Sequence, residues 1–283
     1  MVHTHQQAPP AAIPPVRRPT EGRALTGLVE RLQSEGRYTF TRNEARKHLA
    51  LSPEALKRTT SRLISKGRLL MPHRGFYVIV PVEYSRTGGP PPSWFIADLM
   101  AFLDRPYYVG LLSAAALSGA AHHQPQEFQV VTNAALRPMR MGRSRIRFFM
   151  KGQVSASAVK DVQTETGTMR VSTPEVTAFD LVRYAKRIGG VSSAAAVLRD
   201  LSEAIDPGAL AKSAGKENAL AVVQRTGYLL SHFGARRVTG PLQTWLANRG
   251  SRPVPLRAER GAKRRSLDSE WNIVVNDEVE VDE

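Results

Sequence analysis

Residues 38–80 read YTFTRNEARKHLALSPEALKRTTSRLISKGRLLMPHRGFYVIV, and the remainder of the chain is best understood from this stretch outward. Ser52 is a favourable helix N-cap and Pro53 suits the first helical position, so a helix is expected to begin here. Leu56, Thr60, Leu63 and Ile64 recur at helical spacing and are predicted to face a core. Gly67 falls where a helix C-terminus calls for a left-handed residue. The opposite face carries Glu54, Arg58, Ser61, Arg62 and Ser65, with Lys57 at its flank. From Arg37 to Arg74 there are ten Lys or Arg against two Glu, a local net charge of +8.

Just before this helix, Thr39 or Thr41 is suited to cap another that carries Ala45, Leu49 and His48. Upstream again, Leu25, Leu28, Val29 and Leu32 recur at three- and four-residue intervals, predicting an amphipathic helix that ends near Gly36. Downstream, residues 68–71 and 76–80 read as two strands joined through Pro72, His73, Arg74 and Gly75. Three helices and a hairpin, the third helix presenting basic and hydroxyl side chains, match the plan of a winged helix-turn-helix that meets DNA. On that reading Lys57, Arg58, Ser61 and Arg62 face base edges and phosphates, and Thr41, Arg42, Arg46 and Ser52 hold the backbone. His73 and Arg74 bring the wing to the adjacent groove. A solvated basic surface is the competing explanation, and the order of the elements argues against it.

The 283 residues leave room for a second folded unit. Residues 1–19, rich in Pro, Ala and Gln, read as a disordered leader in which His3 and His5 are tail rather than metal ligands. Residues 20–82 form the winged helix-turn-helix domain, residues 83–93 with their TGGPPPS run form a linker, and residues 94–283 form a larger mixed α/β domain. The expected class is α+β. In the second domain, residues 94–103 predict a helix, and the apolar stretch 107–122 predicts a buried one. Strands are expected at 128–132, 144–150 and 169–172. Further helices are expected from Thr173 through Tyr184 and at 192–204, 217–233 and 241–249. The alternation of Trp271, Ile273, Val275, Val279 and Val281 predicts a half-buried strand to close the chain, with Asn276 and Asp277 offering a tight hairpin instead.

A net charge of +15 and a pI near 10.6 call for a polyanionic partner. No cysteine occurs, which excludes disulfides, thiolate metal sites and Cys nucleophiles. No apolar run approaches the roughly 18 residues that span a bilayer, and the first residues lack the order of a signal peptide, so a cytoplasmic protein is expected. Ser213-Ala214-Gly215-Lys216 falls short of a phosphate loop, because Leu210 replaces the first glycine and Glu217 the magnesium-binding hydroxyl. The adjacent His122 and His123 diverge by about 100° on a helix and do not form a metal pair. Glu278 and Glu280 share a strand face, as in metal-dependent nucleases, but no lysine accompanies them. No enzyme, cofactor or metal is predicted. The enzymatic alternative is a nuclease that uses the winged helix for targeting. The non-enzymatic alternative is an RNA- or protein-binding interaction protein. Its surface would come from Arg137, Arg140, Arg143, Arg145, Arg147 and Lys151, fifteen residues without an acid, and from the basic connector 252–265.

The segment STPEVTAFDLVRYAKRIGG, including Gly189-Gly190, the run Arg225-Thr226-Gly227-Tyr228-Leu229-Leu230, and the closing Trp271-Asn272 stretch follow the basic module in order. This arrangement resembles the AbiEi-type antitoxins of bacterial abortive-infection toxin–antitoxin systems. The resemblance implies a type IV antitoxin that represses its own operon through the N-terminal domain. It also implies that the C-terminal part counteracts a cognate nucleotidyltransferase-like toxin without a stable complex. The partners expected are therefore operator DNA upstream of its own operon, bound as two copies on inverted repeats because symmetric operators go with paired readers, and the toxin as a functional partner.

Overall fold

The computed structural model describes residues 21–120, 125–232, 235–257 and 266–279. The first module runs α1 (Glu21–Ser34), β1 (Thr39–Thr41), α2 (Arg42–Leu49), α3 (Pro53–Ser65), β2 (Leu69–His73) and β3 (Phe76–Ile79). Leu25, Leu28, Val29 and Leu32 of α1 are buried against Phe40, Ala45, Leu56 and Tyr77, as their helical spacing requires. Ser52 caps α3 by accepting from the Ala55 N–H at 3.1 Å, and Gly67 ends it at φ +66. The three strands pair antiparallel in the order β1-β3-β2. The hairpin turn is tighter than the sequence suggested: β2 extends through His73, leaving Arg74 and Gly75 as the turn, with Gly75 at φ +90. α2 begins at Arg42, so its cap is Thr41, the last residue of β1, and not Thr39.

Residues 82–94 contain two short 3-10 turns, Val82–Tyr84 and Pro92–Trp94. They lead into α4 (Ile96–Phe102), β4 (Tyr107–Val109), α5 (Leu111–Leu117), β5 (Phe128–Thr132), β6 (Met139–Met141), β7 (Ser144–Met150), β8 (Val159–Thr164) and β9 (Gly167–Ser172). The buried helix expected over 107–122 is instead a central strand and a short helix. Tyr107, Tyr108 and Val109 favour the pleated conformation, and Gly110 breaks the run with an extended φ of −134°. Residues 121–124, with His122 and His123, lie outside the described residues. The mixed sheet has the order β6-β7-β5-β4-β9-β8, parallel only at β5–β7 and β4–β9.

The period-two geometry of these strands divides two cores. Tyr107, Val109, Val130, Ile146 and Phe148 face one side, where Phe95, Leu99 and Met100 cover them together with Phe76 and Val78 of β3. Tyr108, Val131 and Phe149 face the other, against the helices that follow. Those helices are α6 (Pro174–Arg183), α7 (Val191–Leu201), α8 (Pro207–Ala214), α9 (Leu220–His232) and α10 (Arg236–Ala247). Of these, α8 has no counterpart in the sequence reading, although Asp206 caps it by accepting from the Ala209 N–H at 2.7 Å. Three short strands, β10 (Val254–Pro255), β11 (Ser266–Asp268) and β12 (Ile273–Val275), make a third sheet with β12 central. The closing strand is therefore three residues long among the described residues, and Asn276-Asp277 is not a hairpin turn between them. The class is mixed α+β.

Candidate nucleic-acid interface

The basic face of α3 is set by its two periodic stripes. Ala55, Leu56, Thr59 and Thr60 are buried, and Thr59 and Thr60 return their hydroxyls to the helix by donating to the carbonyls of Ala55 and Leu56. Lys57, Arg58, Ser61 and Arg62 are left exposed together on the opposite side. Preceding α3, the three-residue break after Leu49 is made possible by Ala50 in the left-handed region at φ 48. The N-terminus of α2 is fastened by a reciprocal capping box: the Glu44 N–H donates to Thr41 Oγ1 at 3.1 Å and the Thr41 N–H to Glu44 Oε2 at 3.3 Å. Arg37 adds an ion pair to Glu44 at 2.6 Å.

Arg42 sits at the first turn of α2, its N–H bonded to the carbonyl of Gly75 at 2.8 Å. This contact brings the start of α2 to the hairpin turn, so that Thr41, Arg42, Arg74 and Gly75 line one recess together with Phe102 of α4. Arg46 is exposed further along α2. His73 is exposed but rests edge-on against Phe102 at 5.7 Å, so the hairpin leans on the second module. Ser52 is exposed and already committed to its cap. The structure thus brings Thr41, Arg42 and Arg74 together, and separately aligns Lys57, Arg58, Ser61 and Arg62.

The second basic group is less uniform than its sequence. Arg137, Arg140, Arg143 and Arg145 are exposed, with Arg140 opposite Arg145 across β6–β7. Glu127, remote in sequence, pairs with Arg145 and Arg147 at 3.2 Å each. Arg147 is half-buried over the ring of Phe149. Lys151 does not belong to this surface at all. It is nearly buried and pairs with Asp180 at 2.9 Å and Glu217 at 3.2 Å.

That buried network was not read from the sequence. Asp180 is fully buried, accepts from the Tyr108 hydroxyl at 2.7 Å and shares Lys151 with Glu217, which also pairs with Arg183. Burial raises the Asp180 carboxyl above its ordinary value, with Lys151 opposing the shift. Burial likewise raises Tyr108 and Tyr184. The available signal was an aspartate inside the apolar run AFDLV, which has to find a cation if it is buried.

Among the described residues no group of three His, Asp or Glu is placed to hold a metal. Glu278 is described, whereas Glu280 and Asp282 lie outside the described residues, as do His3, His5 and residues 258–265 of the basic connector. No helix among the described residues is long and apolar enough to cross a membrane.

A comparison with the curated proteins gave no match. Among solved structures, the crystal structure of the RV2827C protein from Mycobacterium tuberculosis is similar over 91% of this chain and 92% of that one, with 18% identity and a TM-score of 0.65. This likeness is one of fold. Two family matches follow one another along the chain: residues 28–80 match the transcriptional regulator, AbiEi antitoxin, family, and residues 108–232 match the AbiEi antitoxin C-terminal domain. With its regulator segment and its antitoxin segment both matched, in that order, the chain belongs to the AbiEi antitoxin family.

Proposed function

We propose that this antitoxin-family chain binds operator DNA through a winged helix-turn-helix and represses its own operon, while its second module counteracts a cognate nucleotidyltransferase-like toxin. One observation carries the DNA half: Lys57, Arg58, Ser61 and Arg62 lie exposed on one face of α3, within a module of order α1-β1-α2-α3-β2-β3. In this reading α3 enters the major groove, its arginines reach base edges, and its hydroxyls and lysine reach phosphates. Thr41, Arg42 and Arg46 of α2 hold the backbone. Arg74, with His73 behind it, meets the flanking groove from the hairpin. The net charge of +15 supplies attraction without specificity, and its contribution weakens with salt.

Binding by two copies to an inverted repeat follows from paired readers on symmetric operators. The toxin is a functional partner in this account, and the protein works in the cytoplasm without catalysis of its own. The test is a footprint on DNA upstream of the gene. Two protected half-sites are expected, and a single half-site would remove the paired arrangement. Incubation with plasmid and Mg²⁺ is expected to leave the DNA intact; divalent-dependent cleavage would replace this reading with a nuclease.

A further inference from the structure

Two of the segments that carry the family resemblance, Gly189-Gly190 and the run beginning at Arg225, are 35 residues apart in sequence yet line one cleft of about 550 Å³. Arg183, Lys186, Arg225 and Arg257 contribute cations to its wall, and no carboxylate among the described residues lines it. Arg183 and Arg257 are partly neutralised by Glu217 and Asp277 outside the lining. Arg225 is different. Its Nε–H donates to the carbonyl of Pro255 at 2.9 Å, and it pairs with no carboxylate among the described residues. Burial lowers its affinity for the proton, the direction expected of a guanidinium that has lost water without gaining an anion. The Arg183 Nε–H is buried without a hydrogen-bond partner among the described residues.

The backbone adds to this. Gly189 and Gly190 stand at φ +107 and +101, and Gly190 opens α7 with no side-chain cap, so the first N–H groups of that helix are left at the cleft. A side chain at Gly189 would strike Ser193 Oγ at 2.6 Å. Among the described residues, several donors therefore meet at one place without a carboxylate. Val182, Leu229 and Leu256 supply an apolar part of the wall. The volume lies within the range of small-molecule sites.

We propose that this cleft binds a nucleoside polyphosphate, with its phosphate oxyanions on Arg225, Lys186 and the start of α7 and its nucleoside on the apolar wall. Charge-assisted bonds from guanidinium and ammonium groups are the strong ones for phosphate, and a helix N-terminus favours the same charge. The site lies in the second module and is independent of the α3 reading.

Titration calorimetry of the full-length protein with ATP and with GTP, at near-physiological salt, tests this. One bound nucleotide per chain is expected, displaced by inorganic tripolyphosphate. Arg225→Gln and Lys186→Gln are each expected to weaken binding about tenfold or more. Because Arg225 also holds Pro255, the thermal melt of each variant is recorded beside its binding, and a loss of affinity in a variant that melts with the parent is the result that supports the site. Operator binding by Lys186→Gln is expected to be unchanged, which separates a failure here from a failure of the α3 reading. No heat up to millimolar nucleotide, or equal affinity in parent and both variants, overturns the proposal.

Discussion

Trp271 packs its indole onto the backbone of Gly227 in α9, so closely that a Cβ at that glycine would lie 2.1 Å from Cζ3 of the ring. The tryptophan is fully buried, and its Nε1–H donates to Ser231 Oγ at 3.1 Å. Gln224, one turn before the glycine, donates to the carbonyl of Trp271 at 3.0 Å. A glycine within a helix costs about 1 kcal/mol relative to alanine, and here that cost admits the ring that fastens β12 to the helices. Gly227→Ala is therefore expected to destabilise the protein by about 2 kcal/mol in spite of its better helix propensity. In a Trp271→Ala background the same change is expected to be neutral or stabilising. Urea unfolding of the parent and the three variants reads this, and an equal cost in both backgrounds would show that the contact is not what requires glycine.

The Lys151 network makes a prediction with a pH sign. Lys151→Met leaves Asp180 and Glu217 buried beside each other with Arg183 as their only cation in the network. A loss of about 3–5 kcal/mol is expected at neutral pH. Removing the lysine removes what opposes the upward shift of Asp180, so the carboxyl takes a proton more readily in the folded state. A carboxyl raised above its unfolded value contributes stability below the unfolded pKa and loses it as pH rises through the folded one. The deficit of the variant relative to the parent is thus expected to shrink toward acid and grow toward neutral pH. A deficit that grows on acidification contradicts the assignment.

Ser52 separates folding from DNA contact. Ser52→Ala removes the acceptor for the Ala55 N–H and is expected to cost about 1 kcal/mol of stability. Ser52→Asp keeps a capping oxygen and suits the helix dipole, so stability is expected to stay near that of the parent. Beside phosphates, however, the new charge is expected to weaken operator binding by about 1 kcal/mol or more. Chemical denaturation and a binding titration on the same two proteins decide it; a fully active Ser52→Asp variant places DNA elsewhere.

The joint between the modules is packed rather than free. Gly142, at φ +58, faces Gly88 so closely that a Cβ would lie 2.4 Å from the Thr87 carbonyl oxygen, and the Arg143 N–H donates to that oxygen at 2.9 Å. Thr39 of β1 also donates to Asp98 of α4. Gly142→Ala is expected to open this seam and raise tryptic cleavage at the exposed Arg86 by on the order of tenfold, since cleavage follows the open population. An unchanged cleavage rate would mean that the seam does not hold the joint closed.

The first module was legible because its signals are local. Caps at Ser52 and Thr41, a left-handed Gly67 and the three-four spacing of Leu25 to Leu32 act within one or two turns. The exposed basic face of α3 follows from the same periodicity. What could not be read depends on partners distant in sequence. Tyr107 to Val109 looked helical because the apolar run continues, and only the neighbours β5 and β9 make it a strand. β8 is largely exposed at the sheet edge and gave little hydrophobic signal. Lys151 looked like part of a basic surface because its carboxylates are 29 and 66 residues away. The cationic cleft depends on Arg225 and Gly189-Gly190 meeting in space, which their separation of 35 residues hides.

The most direct test of the central claim is a footprint of the full-length protein on DNA upstream of its own gene, run beside Arg58→Ala/Arg62→Ala at near-physiological salt. Each arginine is expected to contribute about 1–3 kcal/mol if it reaches a base. The account predicts discrete protection by the parent that is lost in the double variant. The same protection in both proteins would contradict the assignment of α3, and uniform, salt-sensitive coating by the parent would reduce the interaction to its net charge.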